Sequence, residues 1–326
     1  MVERNRLDSL LHIAVLGAAA NSLLSGCAGV IGLTPVPGVT RSAPEGVFVT
    51  YEFFPSRHVA ARKVVIWLPA DYAQSNEPHA VLYMHDGQNL FYPATSMAGQ
   101  PWAVDMIVGR LLCEGSIRRT LVVGIANTAD RNREYTPAKP LAAMPPEMRR
   151  LAIGGGGEII SEAYLRFLVT ELKPFIDANF RTLPGRDDTC VMGSSRGGLI
   201  SLYALARYPH VFGGAACLST HWTITTDYSV LFPPGDARVN ALAQSYLDWL
   251  AIHLPRAGSH RLYFDHGSKN LDSLYAPFQA KADRILEHKG YRQDVDWMTR
   301  IFPGADHNEP AWRERLHIPL QFLMAR

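Results

Sequence analysis

The chain has 326 residues, of which 47% are hydrophobic and 19% charged, and its formal net charge is +2. These values are typical of a globular protein. The nearly neutral charge and the lack of a Lys/Arg-rich block exclude a basic nucleic-acid-binding surface, so we expect no nucleic-acid partner.

The N-terminal segment has the pattern of a processed, membrane-targeted leader. Arg4 and Arg6 precede an apolar stretch from Leu10 to Leu24, which is too short and too interrupted to predict a membrane span. The stretch ends Leu-Leu-Ser-Gly-Cys at Cys27, which resembles the lipobox of bacterial lipoproteins. We therefore expect cleavage before Cys27 and lipidation of its thiol. The alternatives are a plain signal peptide with a chance cysteine and an uncleaved anchor.

Three regions follow from this leader. Residues 1–26 are the predicted signal peptide, and residues 27–45 are the predicted lipidated cysteine and flexible tether, since residues 28–45 contain three prolines and three glycines. Residues 46–326 form the predicted globular domain. The expected location is the bacterial cell envelope, and Ala28 after the cysteine favours the outer membrane, facing the periplasm or the surface.

The globular region alternates strand-like runs with helical patterns. Helical patterns separate the later runs, as parallel strands joined by crossovers require. The strand-like runs are Val47–Phe54, Lys63–Leu68, Val81–Met84, Leu121–Ile125, Thr189–Met192, Gly214–Leu218, Leu262–Phe264 and Val295–Phe302. The pattern predicts an α/β domain with a mostly parallel central sheet of about eight strands and helices on both faces.

The pattern G-x-S-x-G occurs from Gly193 to Gly197. An apolar strand-like run precedes it, and a helix-forming run, Leu199–Arg207, follows. This order is typical of a nucleophile elbow, a tight turn that exposes a serine hydroxyl. The alternative is an ordinary loop, because so short a pattern also arises by chance. We interpret Ser195 as a nucleophile.

A histidine that could serve Ser195 as its base lies near the end of the chain. In an elbow-containing fold, the acid and the base follow the serine along the chain. His307 lies in a Gly-containing loop between the last strand-like run and the last helix, whose first turn suits Pro310. We predict His307 as the general base, with an ordinary surface histidine as the alternative.

Two carboxylates follow the strand-like run Leu262–Phe264, in the part of the chain where the acid that orients this histidine is expected. Asp265 ends the strand-like run Leu262–Phe264 so closely that it can instead cap the loop structurally. Asp272, five residues past Gly267, has the reach to meet an imidazole at the sheet edge. We favour Asp272 and keep Asp265 as the alternative.

An acyl-transfer site also needs donors for the oxyanion that forms on the substrate. One donor is expected to be the backbone N–H of Arg196, the residue after the nucleophile. The loop after Val81–Met84 supplies the second, because Gly87 lets the backbone turn inward and aims the Gln88 amide at the site. His85, on the same loop, is interpreted as a pocket-side loop residue and not as a base or metal ligand. Trp222 is expected to line the substrate pocket.

Taken together, these motifs resemble the putative esterase family of α/β-hydrolases, which includes enterochelin, feruloyl and acetyl-xylan esterases and the mycolyltransferases. The motifs are Leu82–Phe91, Val123–Asn127 with Arg131, Glu134–Pro137, Gly193–Gly198, Tyr263–Gly267 and Gly304–Glu309. The resemblance runs from about residue 46 to the end. It implies the α/β-hydrolase fold, with Ser195 and His307 as nucleophile and base and the Gln88 and Arg196 amides as the oxyanion hole.

The chain departs from the family pattern at two positions. Gly267–Asn270 lacks the carboxylate often found in the family's acid loop, which shifts that role to Asp272. Arg196 replaces the methionine often found after the nucleophile, so its side chain can line the pocket while its backbone amide is unaffected.

We therefore expect a serine hydrolase that cleaves small-molecule or glycan carboxylic esters. No cofactor is expected, and Cys113, Cys190 and Cys217 lack the number and spacing of a disulfide framework or a zinc site. One alternative is an acyltransferase that uses the same three residues. Another is a lipid-anchored, non-catalytic binding protein on a disabled hydrolase scaffold, which the atypical acid loop favours.

Overall fold

A computed structural model describes residues 39–43, 46–258 and 260–325, and nine strands occur within them. They are β1 (Val39–Ala43), β2 (Gly46–Phe54), β3 (Arg62–Pro69), β4 (Ala80–His85), β5 (Thr120–Ile125), β6 (Thr189–Ser194), β7 (Gly214–Leu218), β8 (Arg261–His266) and β9 (Trp297–Ile301). They form one sheet in the order β1-β2-β3-β5-β4-β6-β7-β8-β9.

The first three neighbouring pairs in this order are antiparallel, and every later pair is parallel. Each of the eight predicted strand-like runs corresponds to one of the strands from β2 to β9. The mostly parallel sheet and its topology confirm the predicted α/β-hydrolase fold.

Helices connect the parallel strands and cover both faces of the sheet. Those in the described residues are α1 (Val104–Cys113), α2 (Arg131–Tyr135), α3 (Ala138–Leu141), α4 (Pro146–Ile153), α5 (Ser161–Arg166), α6 (Lys173–Asn179), α7 (Arg196–Arg207), α8 (Ala237–His253), α9 (Ala276–His288), α10 (Glu309–Arg315) and α11 (His317–Leu323). A π-helical segment, Phe167–Leu172, joins α5 to α6. None of the helices in the described ranges is long and apolar enough to span a membrane.

The core has two layers because side chains alternate between the faces of each strand. On β4, for example, Val81 and Tyr83 belong to one buried cluster, whereas Leu82 and Met84 belong to the other. Both faces of the strand are therefore buried, which explains its continuous apolar sequence.

One described segment differs from its predicted role. Residues 39–43 lie within the predicted tether, yet they form β1, which pairs antiparallel with β2 from Val39–Thr50 to Ala43–Gly46. The tether prediction is therefore wrong for these five residues. They contain no proline or glycine, and Val39 and Thr40 are β-branched, a pattern that the composition of the longer segment conceals. The predicted signal peptide, Cys27 and the rest of the predicted tether lie outside the described residues.

Candidate active site

Ser195 lies in a sharp turn between β6 and α7 at the carboxyl edge of the parallel strands. Its φ of 57° and ψ of −121° are sparsely populated for a residue with a side chain. The turn is fixed by its backbone: the N–H of Ser195 donates to Leu218 O, and its carbonyl accepts from His221 N over 3.1 Å. A methyl group at Gly193 would lie 2.8 Å from backbone atoms of Gly197, so this turn requires a glycine. The local geometry is that of a nucleophile elbow.

His307 and Asp272 are in direct contact at the same edge. His307 Nδ1 lies 2.6 Å from Asp272 Oδ1, and the Asp272 side chain is fully buried. An ionised carboxylate only accepts, so Nδ1 carries the proton and Nε2 presents a lone pair. The imidazole is thus oriented as a general base requires, with one nitrogen held by a carboxylate and the other available to accept a proton.

The second oxygen of Asp272 is also held. Asp272 Oδ2 accepts from Ser219 Oγ over 2.7 Å and from Gly267 N over 2.6 Å. Burial opposes ionisation of this carboxyl, but the hydrogen bonds from His307, Ser219 and Gly267 outweigh it, and the pKa of Asp272 lies below its ordinary value. Asp272 is therefore ionised at neutral pH.

Asp265, the alternative acid, has other partners. It accepts from Arg315 Nη2 over 2.9 Å, from Tyr263 Oη over 3.0 Å and from Ser219 N over 3.1 Å. Burial raises its pKa, although Arg315 opposes the shift. Asp265 forms no hydrogen bond to His307 in the described structure, so the contact with the histidine belongs to Asp272.

The loop after β4 lies against the start of α7. A methyl group at Gly197 would lie 3.5 Å from His85 Cβ and 3.6 Å from Asp86 Oδ2. Gly87 packs so closely on β5 that a methyl group there would lie 2.5 Å from Ile125 N. The backbone N–H groups of Gln88 and Arg196 have no acceptor among the described residues.

The Asp86 side chain fixes the shape of this loop. Asp86 has a left-handed φ of 55° and accepts from Arg131 Nε and Nη2, both over 2.7 Å, and from Asn127 Nδ2 over 2.5 Å. The pKa of Asp86 is lowered because Arg131 and Asn127 outweigh the effect of burial. Asp86 is thus a structural anchor for the residues on either side of Gly87.

The two residues expected at the substrate pocket are both buried. His85 is 2% exposed, its Nδ1 is hydrogen-bonded to Tyr164 Oη over 2.8 Å, and burial lowers its pKa to about 3. Trp222 is completely buried and donates to Gln279 Oε1 over 3.1 Å. Both side chains are thus enclosed by neighbouring residues of the chain and are not exposed to solvent. A position at a strand end does not determine which way a side chain points.

Sequence reasoning missed the residues that surround His307. The rings of Tyr275 and Trp312 pack edge-on against its imidazole, at centroid distances of 5.8 and 5.0 Å. Tyr275 Oη is also hydrogen-bonded to Nδ1 of the buried His221 over 2.8 Å. Only the position of Trp312, in the helix after the His307 loop, gives a sequence signal; Tyr275 and His221 have none.

No group of three or more His, Cys, Asp or Glu side chains in the described part of the chain could hold a metal ion. Cys113, Cys190 and Cys217 are free thiols. Ser195, the His307–Asp272 pair and the loop after β4 all lie at the carboxyl edge of the parallel strands.

Fold and site define an enzyme of the α/β-hydrolase class. The family model described as "Putative esterase" matches residues 59–322, most of the globular domain. The chain therefore belongs to the putative esterase family, and its activity class is esterase.

Solved structures share the fold at low sequence identity. A ferulic acid esterase superposes with a TM-score of 0.59 at 18% identity, covering 85% of this chain and 97% of that one. An IroE-like serine hydrolase from Shewanella oneidensis has a TM-score of 0.54 at 21% identity over 85% of this chain and 78% of its own. The enterobactin esterase FES from Shigella flexneri has a TM-score of 0.57 at 18% identity over 89% of this chain, which spans 60% of that protein.

One curated relative is also similar in sequence. It is the uncharacterized protein YbbA of Bacillus subtilis (strain 168), 26% identical over 189 residues, which are 56% of this chain and 68% of the relative. Its name states no activity.

Proposed function

We propose that this esterase hydrolyses carboxylic esters through an acyl-enzyme on Ser195, with His307 as the general base and Asp272 as the carboxylate that orients it. The observation that carries the proposal is the 2.6 Å contact between His307 Nδ1 and Asp272 Oδ1 at the sheet edge where Ser195 projects from its elbow. This contact leaves His307 Nε2 as the proton acceptor.

The chemical steps use only groups of this chain and water. His307 Nε2 takes the Ser195 proton as Oγ attacks the ester carbonyl, and Asp272 stabilises the resulting imidazolium. The imidazolium then protonates the departing alcohol. In the second half, the same nitrogen activates water, which releases the acid from Ser195.

The oxyanion that forms in each half requires donors that are already in place. The backbone N–H groups of Gln88 and Arg196 are proposed for this role, since neither has an acceptor within the described chain. Removal of one such donor typically costs on the order of 3 kcal/mol of transition-state stabilisation.

The proposed substrate is a small-molecule or glycan ester. Solved structures with this fold are named for ferulic acid and for enterobactin, both of small-molecule size, which supports this choice of substrate class. The choice between these chemistries depends on loops that differ among proteins of one fold.

A fluorophosphonate probe and a chromogenic ester test the proposal. Ser195→Ala should lose probe labelling and lower kcat by about a million-fold, as expected when a nucleophile acts together with its base. Ser116→Ala is the matched control, because Ser116 Oγ donates only to Leu111 O far from the elbow. Labelling or turnover that survives in Ser195→Ala would contradict the proposal.

We also propose that the domain is held at the bacterial cell envelope by lipid on Cys27. The support is the Leu-Ser-Gly-Cys pattern after an apolar stretch. Expression with a radiolabelled fatty acid should label the wild-type protein and not Cys27→Ala. Cys113→Ala, which removes an exposed thiol, should remain labelled. Equal labelling of both variants would contradict lipidation of Cys27.

A further inference from the structure

The side chain of Arg196 is an unusual cation for its surroundings. The residue is 3% exposed, and its guanidinium donates to Thr136 Oγ1 over 2.8 Å and to Ala152 O over 2.9 Å. Both acceptors are neutral. No carboxylate in the described structure forms an ion pair with Arg196.

Other buried arginines of this protein are paired. Arg62 forms an ion pair with Glu134, and Arg315 forms one with Asp265, and all four side chains are at most 3% exposed. This contrast matters because a buried charge is costly unless an opposite charge compensates it. Arg196 lacks the partner that the comparable arginines have.

Arg196 nevertheless keeps its charge at neutral pH. Burial and then the like charge of Arg131 lower its pKa to about 10, which is still well above 7. Asp86, the ion-pair partner of Arg131, accepts from Arg131 and Asn127 and forms no ion pair with Arg196.

The unpaired charge lies beside the site. Arg196 follows the nucleophile directly, and its charge contributes to the lowered pKa of His221, after the larger effect of burial. His221 donates its N–H to the Ser195 carbonyl and is bonded to Tyr275, whose ring packs on His307. His221 thus contacts the backbone of the nucleophile and, through Tyr275, is linked to His307.

We propose that Arg196 makes this esterase selective for esters that carry a second, ionised carboxylate. The inference rests on the proposed function of Ser195. Two of the five guanidinium N–H groups are used within the chain, and the others suit the two oxygens of a carboxylate. A substrate carboxylate supplies the counter-charge that the fold omits, so binding converts an uncompensated buried cation into a pair.

Matched esters that differ in one charge provide the test. The acyl-side pair is p-nitrophenyl 4-carboxybutanoate and p-nitrophenyl 4-carbamoylbutanoate. The alcohol-side pair is the butyrate esters of 3-(4-hydroxyphenyl)propanoate and of its amide. In at least one pair, the wild-type protein should prefer the carboxylate by on the order of ten- to a hundredfold in kcat/KM, carried mainly by KM. The absence of this preference in both pairs would overturn the inference.

Variants assign the preference to the side chain. Arg196→Met should bring the carboxylate-to-amide ratio close to one, and Arg196→Lys should leave a reduced preference because a lysine keeps the charge without the fork. Arg150→Met removes an exposed arginine of α4 and should keep the wild-type ratio. An unchanged ratio in Arg196→Met, or an equal loss of rate for both esters of a pair, would overturn the inference, since an equal loss means that the charge serves the oxyanion.

The design separates this inference from the proposed function. Hydrolysis of the neutral ester tests the proposed function of Ser195. That proposal is contradicted if Ser195→Ala still hydrolyses the neutral ester. The carboxylate-to-amide ratio of kcat/KM tests only the effect of the Arg196 charge. If Arg196→Met does not fold, the wild-type ratio and the Arg196→Lys ratio decide: a carboxylate preference that is lowered in Arg196→Lys supports the inference, and an unchanged one contradicts it.

Discussion

Ser219 Oγ donates to Asp272 Oδ2 over 2.7 Å and accepts from Trp312 Nε1 and Arg315 Nη2, both over 2.9 Å. The hydroxyl therefore uses its donor and both acceptor sites. In this position Ser219 has a left-handed φ of 42°, which is uncommon for a residue other than glycine. It fixes the side of the carboxylate that faces away from His307, so the oxygen that faces the imidazole has one orientation.

Asparagine substitutions distinguish the two aspartates of the acid region. Asp272→Asn should lower kcat by about 10⁴-fold, because an amide neither fixes the Nδ1 proton nor stabilises the imidazolium. Asp265→Asn should leave kcat within about tenfold and lower the free energy of unfolding by about 3 to 5 kcal/mol, because it removes the closer of the two carboxylates that pair with the buried Arg315; the other, Asp272, lies 3.9 Å away. Ester turnover and denaturant unfolding measure both, and the reverse pattern would assign the acid to Asp265.

Removal of the Ser219 hydroxyl should act on catalysis through Asp272. Ser219→Ala leaves an indole N–H and a guanidinium N–H without their acceptor, which should cost about 1 to 3 kcal/mol of stability. Without the hydrogen bond from Ser219, the Asp272 carboxylate is less firmly oriented, which should lower kcat by on the order of ten- to a hundredfold with little change in KM. Ser201→Ala, which removes a buried hydroxyl bonded only to Gly197 O, should lower stability without a comparable loss of kcat. Equal kcat losses in the two variants would show that Ser219 has no specific effect.

The close approach of two loops depends on Gly267. A methyl group there would lie 2.2 Å from Ala305 O and 3.0 Å from Asp272 Oδ2, so Gly267→Ala must displace the segment that leads to His307. We expect a loss of about 1 to 3 kcal/mol in stability and at least a tenfold fall in kcat. Gly156→Ala is the same substitution at a position with no atom within 4 Å, and it should change neither quantity appreciably. A fully active Gly267→Ala would refute the close approach.

The buried imidazole of His85 should make the fold sensitive to acid. Burial lowers its pKa from 6.5 to about 3, so below pH 6.5 the unfolded chain binds this proton and the folded chain does not. Stability is therefore lost as the pH falls from 6.5 towards 3. Between pH 6.5 and 5, His85→Gln should lose about 2 kcal/mol less than the wild-type protein. Urea unfolding at the two pH values measures this difference, and the exposed His288→Gln should behave as the wild type; a similar acid loss in His85→Gln would contradict the assignment.

Strand positions could be predicted because a strand that is buried on both faces has a continuous run of apolar residues in its sequence. β4 and β6 are entirely buried, and their predicted cores differ from the observed strands only at the ends. β1 could not be found in this way, because it is an edge strand of five residues inside a segment whose composition favours a tether. A local sequence pattern indicates which residues are buried, and a short edge strand has too few buried residues to produce such a pattern.

Side-chain partnerships were less accessible to sequence reasoning. The elbow and the His307 loop follow from local motifs, but the choice between Asp272 and Asp265 depends on where two side chains point. Those directions are set by Ser219 and Arg315, which meet across 96 positions of the chain. The inward orientation of Trp222 likewise depends on Gln279, a partner 57 positions away. Such contacts exist only once the sheet has assembled.

The antiparallel pairing of β1 with β2 sets a limit on reach. If Cys27 is lipidated as we propose, twelve residues lead from it to Val39, where the chain joins the sheet. At roughly 3.3 to 3.6 Å per residue, a fully extended chain of that length covers about 40 Å. The start of the domain would then stay within about 40 Å of the bilayer. The enzyme would therefore meet esters at the membrane surface in preference to those in the bulk fluid.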